Sequence, residues 1–169
     1  MSKKILILTG SPNREGNSSK MADAFARGAE QAGHSVKKFE TAFQNMRGFT
    51  AAAEPDDFVK LIPLLNDADV VVIATPLYWF SFPAQLKAVI DQLDYSEGSR
   101  MTNKDSYLFL SGGETDEGTY EPIQALYRSI TEFVNWRDCG ILKIGGADAK
   151  GAVEKSGVLE KAEEMGRNA

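Results

Sequence analysis

The sequence contains few of the residues that enzymes most often use for acid–base, nucleophilic or metal chemistry. Its 169 residues include one histidine, His34, and one cysteine, Cys139. His34 follows Gly33 between a helical pattern and a strand pattern, so we interpret it as a turn residue. Cys139 lies in an apolar stretch and is expected to be a buried thiol. A single cysteine cannot form an internal disulfide. With one histidine and one cysteine, we predict no metal site and no hydrolytic triad.

Excess positive charge and long apolar runs are also missing. The net charge of -5 disfavours a general binder of nucleic acids or membrane surfaces. No apolar run approaches the roughly 20 residues that span a bilayer, and the first residues form a strand pattern rather than a signal peptide. We therefore expect a cytoplasmic protein without nucleic-acid or membrane partners. The length and the 43% hydrophobic content suit a single globular domain over residues 1–169.

The most informative segment is a strand, a polar loop and a helix near the start of the chain. Residues 5–8 form a continuous apolar run, which is typical of a strand buried on both faces. A loop rich in Ser, Asn and Gly follows, and apolar helical spacing begins at Met21. Free amides and the helix dipole favour an anion at such a helix start. The alternative is an ordinary loop with a good N-cap.

Two common phosphate motifs do not fit this loop. Gly10 and Gly16 are not followed by the Lys of GxxxxGK[ST], which disfavours nucleoside triphosphate hydrolysis. The GxGxxG pattern of dinucleotide-binding folds is also missing. A terminal monophosphate held by hydroxyls and amides fits better, and flavin mononucleotide (FMN) is the obvious candidate.

Strand and helix patterns alternate along the whole chain. We predict strands at 5–8, 36–39, 70–74, 107–110 and 140–144, and helices from residue 21 and at 57–65, 84–93, 121–135 and 159–165, with Gly166 ending the last helix. Five such units predict an α/β fold, a flavodoxin-like three-layer sandwich with a five-stranded parallel sheet of order 2-1-3-4-5. In that order the ligand lies where the carboxyl ends of strands one and three diverge.

Two further loops follow the third and fourth strands. The first contains the exposed aromatic sequence Leu77-Tyr78-Trp79-Phe80, which is unfavourable in water unless it packs on an apolar partner such as a planar ring. Packing under the sheet or against another subunit is the alternative. The second, Ser111-Gly112-Gly113, is small enough for the backbone to approach a ligand. Gly-Gly alone is weak evidence, but three loops at one sheet edge favour a bound flavin.

Three segments together resemble a known family. They are GSPNREGNSSKMADAF at 10–25, DDF at 56–58 and ADVVVIATPLYWFSFPAQLKAVIDQL at 68–93. They resemble the flavodoxin-fold NAD(P)H-dependent FMN reductases, especially the branch that includes the iron-sulfur flavoproteins. The second half of the chain matches only in outline.

The resemblance implies particular site residues. Those for the FMN phosphate are Ser11, Asn13, Asn17 and Ser18, with Arg14 and Ser19 as additional candidates. Those lining the flavin ring are Pro76, Leu77, Tyr78, Trp79 and Phe80, with Ser111, Gly112 and Gly113 at its other edge. The resemblance also implies a homodimer or homotetramer with flavins near the interface.

The chain departs from the family pattern at two places. Iron-sulfur members carry a compact cysteine motif before the Asp-Asp pair, whereas residues 43–53 contain no cysteine, so we predict no cluster. The family often has a basic residue at position 13, where this chain has Asn13. Phosphate neutralisation then depends on Arg14 or on amides.

The function implied by the resemblance is an FMN-dependent NAD(P)H oxidoreductase. Hydride passes from the nicotinamide to FMN and on to a small acceptor such as a quinone or free flavin. The flavin carries the chemistry, so no catalytic side chain is required. Two alternatives stay open: a flavodoxin-like electron-transfer protein that does not turn over nicotinamide, and a degenerate, non-enzymatic member.

Overall fold

A single parallel sheet forms the centre of the computed structural model, which describes residues 1–48, 56–149 and 151–169. Its strands, numbered along the chain, lie in the order 2-1-3-4-5, which confirms the predicted topology. Each strand extends two or three residues beyond its predicted bounds, because ladder hydrogen bonds continue through polar end residues that carry no apolar signal. The strands are β1 (Lys4–Thr9), β2 (Ser35–Glu40), β3 (Val70–Pro76), β4 (Asp105–Ser111) and β5 (Arg137–Ile144).

Five α-helices connect or follow the strands. They are α1 (Asn17–Gln31), α2 (Phe58–Asp67), α3 (Ala84–Asp91), α4 (Glu121–Phe133) and α5 (Val158–Arg167). Several predicted helix bounds were wrong. Helix α1 begins at Asn17 rather than 21, and α2 ends at Asp67 rather than 65. Helix α3 ends at Asp91 rather than 93, and α4 ends at Phe133 rather than 135. Asn135 has a φ of 54°, a left-handed conformation that does not continue a right-handed helix. None of the helices in the described ranges is long and apolar enough to cross a membrane.

The helices cover both faces of the sheet, as the continuous apolar strand runs predicted. Leu6 and Leu8 of β1 pack in a core with residues of α2, α3 and α4. Ile5 and Ile7 point the other way, into a second core with α1 and α5. Because successive side chains of a strand alternate between faces, a strand covered on both sides must be apolar at every position. The cores hold the three-layer sandwich together and fix the loops at the carboxyl edge.

The contact between α1 and α5 corrects the prediction for Gly166. This glycine lies inside α5 rather than ending it, and it is buried against α1. A Cβ built on Gly166 would lie 2.1 Å from the Phe25 carbonyl oxygen, and one on Gly28 would lie 1.9 Å from the Glu163 carbonyl oxygen. Both glycines are therefore required by the close approach of the two helix backbones.

The single histidine and the single cysteine occupy peripheral positions. His34 lies in the turn before β2, as predicted, and its Nδ1 accepts a hydrogen bond of 3.1 Å from the Lys3 amide. Cys139 is half-buried on the edge strand β5 rather than fully buried, because an edge strand is covered less completely. Part of the cysteine-free segment 43–53 lies outside the described residues.

Candidate functional site

The turn after β1 lies at the point where the strand order reverses. The Gly10 amide donates a hydrogen bond of 2.9 Å to the Ala74 carbonyl of β3. A Cβ on Gly10 would lie 2.8 Å from Thr75 Oγ1 and 2.9 Å from Leu86 Cδ2. Only glycine lets the chain leave β1 this close to β3 and α3. The following loop therefore begins in the crevice where open α/β sheets bind ligands.

Several predicted phosphate-binding side chains shape this loop through internal hydrogen bonds. Ser11 Oγ accepts from the Asn13 amide at 3.1 Å and donates to the Asn13 carbonyl at 3.0 Å. Ser19 Oγ donates to the same carbonyl at 3.1 Å. Asn13 Oδ1 accepts from the Glu15 amide at 3.0 Å. The hydroxyls of Ser11 and Ser19 and the Asn13 amide group thus close the loop before α1 begins.

The donors that stay open lie in the first turn of α1. No side chain caps this helix. Across residues 1–48, 56–149 and 151–169, the amides of Asn17, Ser18 and Ser19 have no hydrogen-bond acceptor, and neither does the Ser18 hydroxyl. Helix N-termini with free amides and a positive dipole end are suited to phosphate. A terminal phosphate therefore fits the free amides and the Ser18 hydroxyl better than the hydroxyls of Ser11 and Ser19, which bind Asn13.

The side chain of Asn17 connects the phosphate loop to the opposite part of the chain. Its Nδ2 donates to the carbonyls of Ala147, at 2.9 Å, and Ala149, at 3.2 Å. Its Oδ1 accepts from the Val153 amide at 3.4 Å. These partners occupy both polar atoms of the Asn17 amide group. Asn17 thus positions the loop after β5, while its backbone amide remains available.

Arg14 is engaged outside the first turn of α1. Its Nε donates to Glu40 Oε1 at 3.0 Å, and its guanidinium lies 3.9 Å from the centre of the Phe43 ring. Both partners follow or end β2. This arrangement directs the Arg14 guanidinium toward the end of β2.

The aromatic loop is a tight turn with unusual backbone angles. The amide of Tyr78 donates to the Ser81 carbonyl at 3.1 Å, and the Ser81 amide donates back at 3.0 Å. The two residues between them, Trp79 and Phe80, have φ values of 48° and 63°. Two-residue turns of this kind usually contain Asn-Gly, since each left-handed non-glycine residue costs about 1–3 kcal/mol.

Trp79 is 93% exposed at the tip of this turn. The side chains of Tyr78 and Phe80 are also exposed. Within the described part of the chain, the amides of Trp79 and Phe80 have no hydrogen-bond partner. Strained backbone, exposed rings and free amides occur here together, as is usual for a binding loop.

The third predicted loop lies beside the aromatic turn. The Leu77 amide donates to the Ser111 carbonyl at 2.8 Å, so the ends of β3 and β4 stay paired up to the start of both loops. Beyond this pair is a surface cleft of about 290 Å³. The predicted residues that line it are Leu77, Trp79, Phe80, Gly112 and Gly113. The structure therefore brings these two predicted loops together, with Pro76 and Ser111 at the strand ends beneath them.

A fourth loop, residues 145–149 after β5, also belongs to this site and was missed from the sequence. The Ala147 amide donates to the Gly112 carbonyl at 2.9 Å, and the Gly146 amide donates to the Glu114 carbonyl at 3.0 Å. Asp148 lines the cleft. The available signal was Gly145-Gly146 directly after a strand, the same pattern as Gly112-Gly113.

Tyr120 supports the third loop from below and was also missed. Its side chain is buried, and its hydroxyl donates to the Glu114 carbonyl at 2.8 Å. A Cβ on Gly112 would lie 2.6 Å from this hydroxyl, which explains the glycine. Burial, followed by the negative charges of Glu114, Glu117 and Asp148, raises the pKa of the Tyr120 phenol. The phenol therefore stays protonated and keeps its hydrogen bond to the loop.

The architecture defines a flavodoxin-like α/β protein with unpaired amides in the first turn of α1 and an aromatic cleft at the same sheet edge. Residues 3–136 match the family described as NADPH-dependent FMN reductase, and the chain belongs to that family. The free first-turn amides and the cleft fit a phosphate and a planar ring. Among the described residues, no group of three or more His, Cys, Asp or Glu side chains could hold a metal ion.

Curated relatives share parts of the chain. An iron-sulfur flavoprotein of Archaeoglobus fulgidus is 31% identical over 113 residues, covering 62% of this chain and 51% of the relative. An FMN-dependent NADH:quinone oxidoreductase of Thiobacillus denitrificans is 35% identical over 79 residues, covering 41% of this chain and 37% of the relative. The matched region thus spans about half or less of the length of these two proteins.

Solved structures match the fold over nearly the whole chain. The NAD(P)H:quinone oxidoreductase from Methanothermobacter marburgensis has a TM-score of 0.80 at 21% identity, covering 99% of this chain and 96% of that one. An FMN-dependent NADH-azoreductase from Bacillus anthracis in complex with FMN has a TM-score of 0.78 at 13% identity, covering 98% of both chains. At these identities the similarity shows the fold alone.

Proposed function

We propose that the protein binds FMN across the carboxyl edge of its sheet. The phosphate is held by the amides of Asn17, Ser18 and Ser19 and by the Ser18 hydroxyl, and the ring lies in the cleft beside Trp79 and Phe80. The observation that carries the proposal is the strained Trp79–Phe80 turn, which lines one cleft with Gly112–Gly113 at the carboxyl edge of the sheet, next to the switch point between β1 and β3. Family membership supports the choice of FMN among phosphate-bearing ring compounds.

The activity that we propose is NAD(P)H-dependent oxidoreduction. FMN, when bound, accepts hydride from the nicotinamide and passes reducing equivalents to a small acceptor such as a quinone or free flavin. The protein supplies binding and electrostatics. The free amides of Trp79 and Phe80 are suited to a polar ring edge that gains negative charge on reduction. Relatives named NADH:quinone oxidoreductase support this assignment.

Three broader proposals accompany this function. Residues 1–169 form one domain, since the same sheet carries every loop of the site. The protein is a homodimer or homotetramer, because the exposed rings of Tyr78, Trp79 and Phe80 form an apolar surface beside the cleft. Its location is the cytoplasm, where reduced nicotinamides are available. Light scattering of the FMN-loaded protein tests the assembly: a mass near 18.5 kDa would contradict it.

The experiment that tests the activity uses purified protein mixed with FMN and freed of unbound flavin. We expect flavin absorbance bands to remain with the protein, and we expect NADH or NADPH to be oxidised in air at a rate proportional to the loaded protein. A panel of quinone, flavin, azo and nitro acceptors identifies the second substrate. Retained flavin without nicotinamide oxidation would instead support an electron-transfer protein, and no retained flavin would reject the proposal.

A further inference from the structure

The loop after β5 places a carboxylate in the proposed flavin cleft. Asp148 lines this cleft together with Trp79 and Phe80. Its side chain lies against Gly113: a Cβ built on Gly113 would be 1.9 Å from Asp148 Oδ1 and 2.7 Å from its Cγ. Any other residue at position 113 would displace the carboxylate. The missing side chain of Gly113 thus leaves the space that the Asp148 carboxylate occupies at the cleft.

Hydrogen bonds hold the backbone on both sides of Asp148. The Ala147 amide donates to the Gly112 carbonyl at 2.9 Å. Asn17 Nδ2 donates to the carbonyls of Ala147 and Ala149, at 2.9 and 3.2 Å. Both neighbours of Asp148 are therefore tied to other loops of the site. These contacts keep the backbone of Asp148 at the cleft.

Among the residues that the structure describes, a second carboxylate lies near Asp148, because Glu114 also lines the cleft. Lys143, in β5 just before this loop, forms an ion pair with Glu117 and lies 5.4 Å from the centre of the Tyr120 ring. The raised pKa of the Tyr120 phenol has burial as its main cause, with Glu114, Glu117 and Asp148 contributing. The carboxylates of Asp148 and Glu114 would therefore place negative charge beside a ring in the cleft.

We propose that Asp148 lowers the reduction potential of the FMN bound in this cleft. The inference rests on the proposed function. Hydride transfer from the nicotinamide gives the ring two electrons and one proton, so the reduced ring carries one more negative charge than the oxidised ring. A carboxylate beside the ring repels that added charge. Asp148 therefore favours the oxidised form, which makes the reduced flavin a stronger reductant for the acceptor.

The test compares the potential of bound FMN in the wild-type protein and in Asp148→Asn. This substitution keeps the size of the side chain and removes its charge. The control is Asp116→Asn, which removes one charge from an exposed residue that does not line the cleft. Each protein is loaded with FMN and equilibrated with a reference dye, and the oxidised and reduced fractions are read from the absorbance spectra. A second series at 1 M salt measures screening.

We expect Asp148→Asn to bind reduced FMN about fivefold more tightly relative to oxidised FMN, as for a partly screened charge pair. This ratio corresponds to a potential about 20 mV higher, at about 30 mV for each tenfold change. Asp116→Asn should shift it by less than half as much. The difference between wild type and Asp148→Asn should shrink in 1 M salt.

Equal potentials for wild type and Asp148→Asn would overturn the role of Asp148, and so would an equal shift in Asp116→Asn. Either result would leave the FMN assignment intact, because a potential can be measured only for proteins that bind FMN. Failure of the wild-type protein to retain FMN is a separate outcome, which would reject the proposed function and this inference together. If Asp148→Asn failed to fold, the wild-type protein alone would decide the question. Its FMN potential should rise between low salt and 1 M salt, and an unchanged potential would contradict the inference.

Discussion

At the scale of single residues, the Ser18 hydroxyl is the side-chain donor that we propose for the FMN phosphate. Ser18→Ala should weaken FMN binding about 10- to 100-fold, since a hydrogen bond to a charged group contributes about 1.5–3 kcal/mol. The measurement is quenching of FMN fluorescence on titration with protein. Ser129→Ala, at an exposed position on α4, should bind FMN as the wild type does. Equal affinities for Ser18→Ala and wild type would reject the assignment of this hydroxyl.

The residue scale also shows where the sequence was insufficient. The polar loop correctly indicated a helix start, because the preference of Ser, Asn and Gly for helix N-termini depends only on neighbouring residues. The roles of individual side chains depend on distant partners. Asn17 binds the carbonyls of Ala147 and Ala149, 130 and 132 positions away, and no local pattern reveals such a pairing. Asp148 was missed for the same reason.

At the scale of elements, the aromatic turn combines a strained backbone with the exposed rings that we propose to bind the flavin. Phe80→Gly should remove the penalty of a left-handed residue and stabilise the free protein by about 1 kcal/mol. It should also weaken FMN binding, because a ring that lines the cleft is lost. Urea unfolding of the free protein and FMN titration measure the two effects. Tyr78→Gly is the control: Tyr78 has no left-handed φ, so glycine should destabilise the protein there. A destabilised Phe80→Gly would contradict this account of the turn.

The crossing of α1 and α5 is the second element-scale feature. Gly28→Ala should destabilise the protein by about 1–3 kcal/mol, because its Cβ would lie 1.9 Å from the Glu163 carbonyl oxygen and the helices would have to move apart. Thermal unfolding followed by circular dichroism measures the loss. Gly48→Ala adds the same methyl group where no atom of the described residues lies within 4 Å, and it should leave the melting temperature nearly unchanged. Similar stability for both variants would show that the helices tolerate separation.

The positions of strands and helices were the most predictable part of the structure. Continuous apolar runs identified the central strands, because a sheet covered on both faces requires apolar residues at every position. The edge strands β2 and β5 contain Lys37, Lys38 and Lys143 and were identified from shorter apolar patterns. Helix ends were less predictable. Gly166 resembled a stop signal, yet the structure uses it for a close contact with α1, and local sequence does not distinguish these two uses of glycine. The left-handed angles of Trp79 and Phe80 had no signal, since a turn of this type normally contains Asn or Gly.

At the scale of the whole molecule, stability should depend on carboxylates that the fold pairs with cations. Burial alone would raise the pKa of Asp105, but hydrogen bonds from Arg137 and Lys3 outweigh it and hold the pKa below its ordinary value. A carboxyl with a lower pKa in the folded protein stabilises the fold above the pKa of the unfolded chain. This stabilisation is lost as the pH falls through the folded pKa.

Asp105→Asn should therefore lower the free energy of unfolding by about 1 kcal/mol at pH 7, a value reduced for the exposure of Arg137. The difference from wild type should shrink as the pH falls below about 4. Urea unfolding at pH 7, 5 and 3 measures it. A difference that stayed constant across these pH values would show that the loss is steric rather than electrostatic.

The central claim for the whole molecule is that the start of α1 holds the phosphate of FMN while the cleft beside Trp79 holds its ring. Riboflavin carries the same ring and lacks the phosphate. The most direct test is therefore a comparison of the wild-type dissociation constants for FMN and riboflavin in the same buffer. Several charge-assisted hydrogen bonds predict that FMN binds at least about 100-fold more tightly. Equal dissociation constants for the two ligands would contradict the account.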